Sequence, residues 1–352
     1  MKTILKWPGG KGKELPVIRK YTPVYTGRFI EPFVGGGAVF FDTTIPICCI
    51  NDKSTELINL YNCTRNKDGD FIKYLQAEID EFNALSNFVD VHHSDILLLY
   101  HSKISVDDFI QKYIYIFSKL ADNYNSIFIK ELKKNLSSKI KRSEKLEKEN
   151  GEISDNDRIN NIEAALKSAY YMFVRYLQNH MNELSSGRQA AVFFFIREYC
   201  YSSMFRYNSK GEFNVPYGGI FYNRKDFQKK VDYLFSEKMT QKLSRADIHC
   251  EDFEEFIDGL NPTEEDFIFL DPPYDSDFST YAQNEFGREE QLRLCECLKR
   301  TNAKILLIIK NTDFIYNLYK DDFTITSFDK KYMVSFMNRN NRDVEHLVIT
   351  NY

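Results

Sequence analysis

Short apolar runs that end in polar or turn residues occur towards both ends of the chain, and seven of them are candidate β-strands. They lie at residues 29–30, 46–50, 247–250, 267–270, 304–309, 323–326 and 345–350. Helical patterns separate most of them, such as Arg288–Arg300 with apolar Leu292, Leu294 and Leu298. Strands that alternate with helices predict an α/β fold with a mostly parallel sheet covered by helices on both faces.

The middle of the chain has a different pattern, which predicts helices at 71–85, 106–136 and 160–184. The charged stretch 144–158, which contains Gly151, is predicted to be an exposed loop or linker. Aromatic and polar residues alternate around a Ser-Lys-Gly turn and predict a β-hairpin near 205–219. The simplest architecture is a sheet domain, residues 1–61 and 231–352, into which a mainly helical domain, residues 62–230, is inserted.

Composition restricts the class of protein. The 352 residues carry a net charge of −4, and 43% are hydrophobic, as in soluble globular proteins. The seven cysteines form no C-x-x-C and no zinc spacing, so we expect no metal site and no disulfide framework. No apolar stretch reaches membrane-spanning length, and the first residues lack the apolar region of a signal peptide. We therefore expect a cytoplasmic protein without a membrane partner.

The sequence Asp271-Pro272-Pro273-Tyr274 directly follows the apolar run 267–270. Open α/β sheets bind their ligands at the carboxyl ends of strands. Proline has no backbone N–H and stiffens the turn, so the Asp271 carboxylate and the Pro272 carbonyl remain as acceptors beside the flat Tyr274 ring. This arrangement suits a planar group with an exocyclic amine. A plain proline-stiffened turn is the alternative.

Glycine and acidic residues follow the other predicted strands of the sheet domain. The glycines at 35–37 form a strand-to-helix turn, which alone is a weak indication of nucleotide binding. Asp52 stands where an acid can bind ribose hydroxyls, or it caps the next helix. Asp252 and Phe253 suit the edge and face of an adenine, and a plain helix cap is as good an interpretation.

Two further segments carry candidate ligand-binding residues. Near the start, Trp7 precedes two glycines and Lys11, whose cation suits a carboxylate or phosphate; a mobile terminus is the alternative. In the predicted hairpin, Arg206, Lys210 and Asn214 are side-chain types that bind base edges or phosphates. A purely structural hairpin remains the alternative there.

In their order along the chain, five motifs together resemble the Dam-type DNA adenine N6-methyltransferases of the D12 class. The motifs are KWPGGK (6–11), EPFVGGG (31–37), ND (51–52), RYNSKGEFNVPYGG (206–219) and DPPY (271–274). The resemblance implies a Rossmann-like class I methyltransferase sheet of seven strands, with S-adenosylmethionine as methyl donor. It assigns the donor site to Trp7, Lys11, Glu31, Phe33, Gly35, Gly37, Asp52, Asp252, Phe253 and Asp271. It assigns catalysis to Asp271, Pro272, Pro273 and Tyr274, and DNA contacts to Arg206, Tyr207, Asn208, Lys210 and Asn214.

The implied activity is methylation of N6 of an adenine flipped out of double-stranded DNA, with GATC as the leading target. The resemblance fits a monomer associated with the nucleoid, either alone or with a cognate restriction endonuclease that forms no obligate complex with it. An RNA adenine methyltransferase and a catalytically silent DNA-binding module remain alternatives. Protein-glutamine methyltransferases usually have Asn in place of Asp271, and a dinucleotide oxidoreductase would need a complete G-x-G-x-x-G.

Overall fold

A computed structural model describes residues 1–274, 286–331 and 343–352. The chain forms two compact units, one of residues 1–66 with 236–352 and one of residues 67–235. The domain limits suggested by the sequence fall inside the helices Thr55–Asn66 and Gln228–Leu234. At both junctions between the two predicted domains, the residue pattern of the sequence changes within a helix and not at its end.

The first unit contains a seven-stranded sheet in its described residues, with the order β3-β2-β1-β4-β5-β7-β6. The strands are β1 (Phe29–Glu31), β2 (Cys48–Asn51), β3 (Ala246–His249), β4 (Phe267–Leu270), β5 (Lys304–Lys310), β6 (Thr324–Lys331) and β7 (Asp343–Thr350). The first five are parallel, whereas β7 is antiparallel to its neighbours β5 and β6. The predicted α/β fold with a mostly parallel sheet is confirmed.

Helices accompany the strands of this unit. They are α1 (Leu15–Tyr21), α2 (Thr55–Asn66), α11 (Glu237–Ser244), α12 (Phe253–Leu260), α13 (Arg288–Arg300) and α14 (Asp313–Tyr319). All four residues of β4 are buried, as expected for a central parallel strand covered on both faces. On α13, Leu294 and Leu298 pack into the core, but Leu292 is 48% exposed. Leu292 is therefore wrongly placed in the predicted apolar pattern. The buried face of α13 contains Gln291, Leu294 and Leu298, which are spaced three and four residues apart.

The second unit is mainly helical. Its helices are α3 (Gly69–Val91), α4 (His93–Tyr100), α5 (Val106–Lys112), α6 (Ile114–Phe117), α7 (Asn125–Asn150), α8 (Asp155–Gln178), α9 (Ser186–Tyr199) and α10 (Gln228–Leu234). The single helix predicted over 106–136 is instead three helices. Ala121 interrupts the run with a left-handed φ of 74°, which a helix cannot contain.

The predicted loop at 144–158 is present but confined to residues 151–154, because α7 continues to Asn150 and α8 begins at Asp155. Arg158 donates from Nε and Nη2 to Glu147, each at 3.2 Å, and from Nη1 to Asp155 at 2.9 Å. These charges join the two helices at a short turn. The high charge density of this stretch therefore indicates ion pairing between helices.

None of the helices in the described part of the chain has the length and apolarity to cross a membrane.

Candidate active site

The carboxyl ends of β1, β2 and β3 are tied together by one buried amide. Asn51 is 1% exposed, and its Nδ2 donates to the carbonyls of Pro32 and Glu251, each at 3.1 Å. Its Oδ1 accepts from the Glu251 N–H at 2.8 Å. Sequence reasoning treated Asn51 only as part of a motif. A polar amide directly after an apolar strand was the available signal for this positioning role.

The glycine turn after β1 lies against the single tryptophan. Gly35 and Gly37 have φ of 47° and 72°, in the left-handed region that favours glycine. A Cβ on Gly35 would come within 2.7 Å of Trp7 Cδ1, and one on Gly36 within 3.1 Å of Trp7 Cβ. The Tyr61 hydroxyl fixes the turn by donating to the Gly35 carbonyl at 2.9 Å. The glycines are therefore required for the indole to approach this backbone.

Asp52 holds the same turn from the end of β2. Its Oδ2 accepts from the Gly35 N–H and its Oδ1 from the Ser54 N–H, both at 2.9 Å. The next helix, α2, is capped by Ser54, whose Oγ accepts from the Leu57 N–H at 3.3 Å. Hence the structure gives the cap to Ser54. Burial raises the pKa of Asp52, and the two backbone hydrogen bonds oppose that shift.

Lys11 and the residues after β4 form the central cluster of the site. The Lys11 side chain is buried, with Nζ 2.5 Å from Asp271 Oδ1. The ammonium also donates to the Tyr274 hydroxyl at 2.9 Å and to the Gly9 carbonyl at 3.1 Å. Its three donors thus have three protein acceptors, and any ligand carboxylate must share this cation with Asp271.

Sequence reasoning missed two residues, His346, which contacts the Tyr274 ring, and Glu14, which contacts His346. The fully buried His346 ring is 5.4 Å from the Tyr274 ring, with the planes at 85°. His346 Nδ1 lies 3.5 Å from Glu14 Oε2, and the Glu14 N–H donates to the Lys11 carbonyl at 2.8 Å. The Tyr274 ring is therefore held at its hydroxyl by Lys11 and at its ring by His346. The only sequence signal was a histidine beside the apolar run of β7.

The loop after β4 is also joined to α13. Gln291 is fully buried, and its Nε2 donates to the Pro273 carbonyl at 3.0 Å. Pro272 is buried and Pro273 is exposed. Because Gln291 uses the Pro273 carbonyl, the position of the prolines is fixed by a residue that no motif contains.

Glu31, at the end of β1, is a buried carboxyl group. It is 2% exposed, and its Oε2 has no hydrogen-bond partner among the described residues. Burial first, and the charge of Asp271 second, raise the pKa of Glu31 well above its usual range. A buried acceptor beside a second carboxylate is suited to a ligand ammonium.

Asp252 and Phe253 make structural contacts at the start of α12. Asp252 Oδ1 accepts from the Glu254 N–H at 3.1 Å and from Arg293 Nη2 at 2.8 Å. Phe253 is 5% exposed, and its ring lies 5.5 Å from that of Phe33. The capping interpretation of Asp252 is therefore observed, and the two rings belong to one aromatic cluster.

In the second unit, the predicted hairpin is present as an antiparallel bridge between Tyr207 and Phe213. Asn208 organises its turn: Oδ1 accepts from the N–H groups of Lys210 at 2.9 Å and Glu212 at 3.0 Å. Its Nδ2 donates to Glu212 Oε2 at 2.7 Å. The Asn208 amide thus stabilises the turn, and its suitability for a base edge is reduced.

The cations of the hairpin are exposed, whereas its other candidates are half-buried. Arg206 donates from Nε to the Asn214 carbonyl at 2.9 Å. Asn214 Oδ1 accepts from Arg175 Nη1 at 3.4 Å. Arg206 and Lys210 are therefore the accessible candidates for DNA contact. Within the ranges that the structure describes, three or more His, Cys, Asp or Glu side chains nowhere form a group suited to a metal ion.

Comparison with known proteins gives matches along most of the chain. The family model for D12 class N6 adenine-specific DNA methyltransferases matches residues 7–334. The chain is 28% identical over 358 residues to the Type II methyltransferase M.CviBI of Paramecium bursaria Chlorella virus NC1A, with 100% of both chains covered. It is 28% identical to the Type II methyltransferase M.MjaIII of Methanocaldococcus jannaschii, covering 100% of this chain and 99% of the relative. It is 23% identical to the DNA adenine methylase of Serratia marcescens, covering 89% and 84%.

Proposed function

Because the chain belongs to the D12 class of N6 adenine-specific DNA methyltransferases, we propose that it methylates an adenine flipped out of duplex DNA and takes the methyl group from S-adenosylmethionine. The enzyme is an adenine-specific DNA methyltransferase, and DNA is its substrate. GATC is the target to test first. The observation that carries the proposal is the cluster of Lys11, Asp271 and Tyr274 at the end of β4.

The residues at the ends of β1 and β2 fit the methyl donor. The donor has no phosphate, so the glycine turn and Trp7 would give close contact with its adenosine and methionine parts. Each Asp52 oxygen accepts one backbone hydrogen bond and retains acceptor capacity for a ribose hydroxyl. Glu31, with its buried Oε2, would accept from the methionyl ammonium, and Lys11 would contact the carboxylate. When bound, this cofactor supplies an electrophilic methyl group on a sulfonium.

The residues after β4 would hold the target base. The Asp271 carboxylate and the Pro272 carbonyl would accept the two N6 hydrogens, and the adenine would stack on Tyr274. These hydrogen bonds would draw the N6 lone pair out of ring conjugation and direct it at the methyl group, and the surplus N6 proton would pass to solvent by way of the Asp271 carboxylate. Positioning supplies most of the rate gain, and Asp271 stabilises the positive charge that develops on N6. Lys11 and Gln291 keep the acceptors in place through their contacts with Asp271 and Pro273.

In the second unit, Arg206 and Lys210 would contact the DNA, because both are exposed and cationic. The Asn214 carbonyl holds the Arg206 guanidinium at a defined position on the hairpin, which favours contact with a base edge over a loose phosphate contact. Tyr207, Asn208 and Asn214 would then support the hairpin and add contacts of their own.

Sequencing that detects N6-methyladenine tests the proposal in cells that lack other adenine methylation. DNA from cells expressing the wild-type chain should carry N6-methyladenine in one sequence context. DNA from cells expressing Asp271→Ala should lack it, and Asp321→Ala, an exposed acid in the same unit, should behave as wild type. Methylation of RNA alone would support the RNA alternative. Specific DNA binding without methylation would support the silent module.

A further inference from the structure

One face of α7 carries a row of lysines without an acidic residue among them. Each residue of an α-helix turns the chain by about 100°, which places five lysines within an arc of about 60°. They are Lys130, Lys134, Lys141, Lys145 and Lys148, and all five are exposed. The structure describes every residue of α7, and its glutamates all lie outside this arc. We call these five residues the lysine stripe.

The lysine stripe lies on the side of α7 away from the core. The buried residues of α7 include Phe128, Leu132 and Leu136, which share the opposite face. The Phe128 ring lies 6.0 Å from that of Tyr170 and 6.3 Å from that of Phe173, both on α8. A helix face that is merely solvated usually mixes charges of both signs, whereas this face has only one sign. The stripe therefore has the character of a binding surface.

The lysines of the stripe are weakly paired with protein carboxylates. Lys134 Nζ is 3.9 Å from Glu131 Oε1, and Lys145 Nζ is 3.7 Å from Glu149 Oε1. Ion pairs of this length between exposed side chains contribute little. The other three lysines of the stripe form no ion pair with any residue that the structure describes. The stripe thus keeps a local positive charge, although the chain has a net charge of −4.

The stripe begins near the hairpin and extends away from it. Arg175 on α8 donates from Nη1 to Asn214 Oδ1 and to the Val215 carbonyl, each at 3.4 Å. Burial lowers the pKa of Arg175, and the charges of Glu131 on α7 and Arg206 on the hairpin also act on that pKa. The first turns of α7 are therefore close to the hairpin. The last turns lie at the short turn that joins α7 to α8.

Duplex DNA is the partner whose chemistry matches a long row of one charge. The stripe spans 18 residues, or about 27 Å, which is the length of about eight base pairs. A membrane surface would need apolar side chains beside the cations, and between Lys130 and Lys148 the arc has none. A stable protein interface would need an apolar centre, which this face also lacks.

We propose that the lysine stripe binds the phosphates of the duplex beside the target sequence. This rests on the proposed function, because it extends the DNA contact from the hairpin to the flanking DNA. Lysine acts on a phosphate as a point charge, so the contact is independent of sequence. It adds affinity for long DNA, and no atom of the stripe takes part in methyl transfer.

The test compares the full-length wild-type enzyme with two triple variants. The stripe variant carries Lys134→Gln, Lys141→Gln and Lys145→Gln. The control variant carries Lys73→Gln, Lys103→Gln and Lys229→Gln, at exposed positions of the same unit outside α7. Both variants lose the same charge. Glutamine has nearly the helix propensity of lysine, so both should keep the wild-type melting temperature.

Fluorescence anisotropy measures binding to two labelled duplexes that carry the methylated sequence. The short duplex has about one helical turn, and the long one adds about 10 base pairs on each side. Each phosphate contact contributes about 0.9 to the slope of log K against log salt, so the stripe variant should lose about 2–3 units on the long duplex. Its affinity there should fall about 10- to 500-fold at about 0.1 M salt, since three contacts gain at most about 500-fold relative to about 1 M salt. The loss should be confined to the long duplex, and the control variant should match wild type on both.

Steady-state methylation of the long duplex gives a second readout. The KM for DNA should rise in the stripe variant and kcat should stay unchanged, because the lysines contact no reacting atom. Unchanged affinity for the long duplex, equal losses on both duplexes, or an equal loss in the control variant would overturn the inference. A wild-type enzyme that methylates neither duplex would refute the proposed function. Wild-type methylation together with normal DNA binding by the stripe variant would refute the stripe alone.

Discussion

Asp52→Ala separates the two roles that an acid after β2 can have. The substitution removes both acceptors of the carboxylate, which bind the N–H groups of Gly35 and Ser54 at 2.9 Å. If the same oxygens also bind ribose hydroxyls, the loss of hydrogen bonds to a charged group costs about 1.5–3 kcal/mol of cofactor affinity. The dissociation constant of S-adenosylmethionine should therefore rise by roughly 10- to 150-fold. Isothermal titration calorimetry of the DNA-free enzyme measures it directly.

Ser54→Ala is the matched control for this experiment. Ser54 Oγ caps α2 through the Leu57 N–H, and removing a cap costs about 1 kcal/mol of stability. This variant should lower the free energy of unfolding in urea and leave cofactor affinity unchanged. DNA affinity without cofactor should stay unchanged in both variants. Cofactor affinity that is unchanged in a folded Asp52→Ala would refute the ribose assignment and leave Asp52 as a support of the glycine turn alone.

Three further predictions concern other residues. Arg206→Ala should lower the discrimination at one base pair by about 1–3 kcal/mol and leave the salt slope of DNA binding unchanged. Methylation assays on single-base variants of the target measure this, and an equal loss on all sequences would indicate a phosphate contact. Burial raises the pKa of Glu31 in the folded protein. The free energy of unfolding of the cofactor-free protein should therefore fall as the pH rises above the ordinary carboxyl pKa. Glu31→Gln should therefore raise the melting temperature more near pH 7.5 than near pH 5, and an equal rise at both would contradict this. His346→Ala should lower kcat with unchanged cofactor affinity, whereas His346→Phe, which keeps a ring against Tyr274, should recover; no recovery would argue against ring positioning.

The sheet was predictable because its strands are short apolar runs whose burial is nearly complete. The run 267–270 coincides with β4, since a central parallel strand has no exposed face and its ends are marked by Asp266 and Asp271. The break at Ala121 and the extension of α7 and α8 to the short turn at Gly151 were not predictable. A left-handed alanine and the ion pairs of Arg158 depend on how distant segments pack.

The candidate site was predictable only where its residues follow strands or stand in a motif. Lys11 and Asp271 are 260 residues apart, and the motifs alone suggested that they share a ligand. Glu14, Gln291 and His346 were missed because each acts through a tertiary contact that leaves no local pattern. The sequence left Asp52 with two interpretations, a ribose ligand and a helix cap, because Asp and Ser both cap helices. Only the observed hydrogen bond from the Leu57 N–H to Ser54 Oγ assigns the cap to Ser54.

The central claim is that Asp271 is the acceptor that activates the adenine amine. Single-turnover methylation of a matched duplex by Asp271→Ala, at saturating S-adenosylmethionine, tests it most directly. We predict a fall in the rate of at least about 100-fold, the scale for losing one preorganised electrostatic group, with the fold intact by circular dichroism. A folded Asp271→Ala that methylates DNA at a near-normal rate would contradict the account.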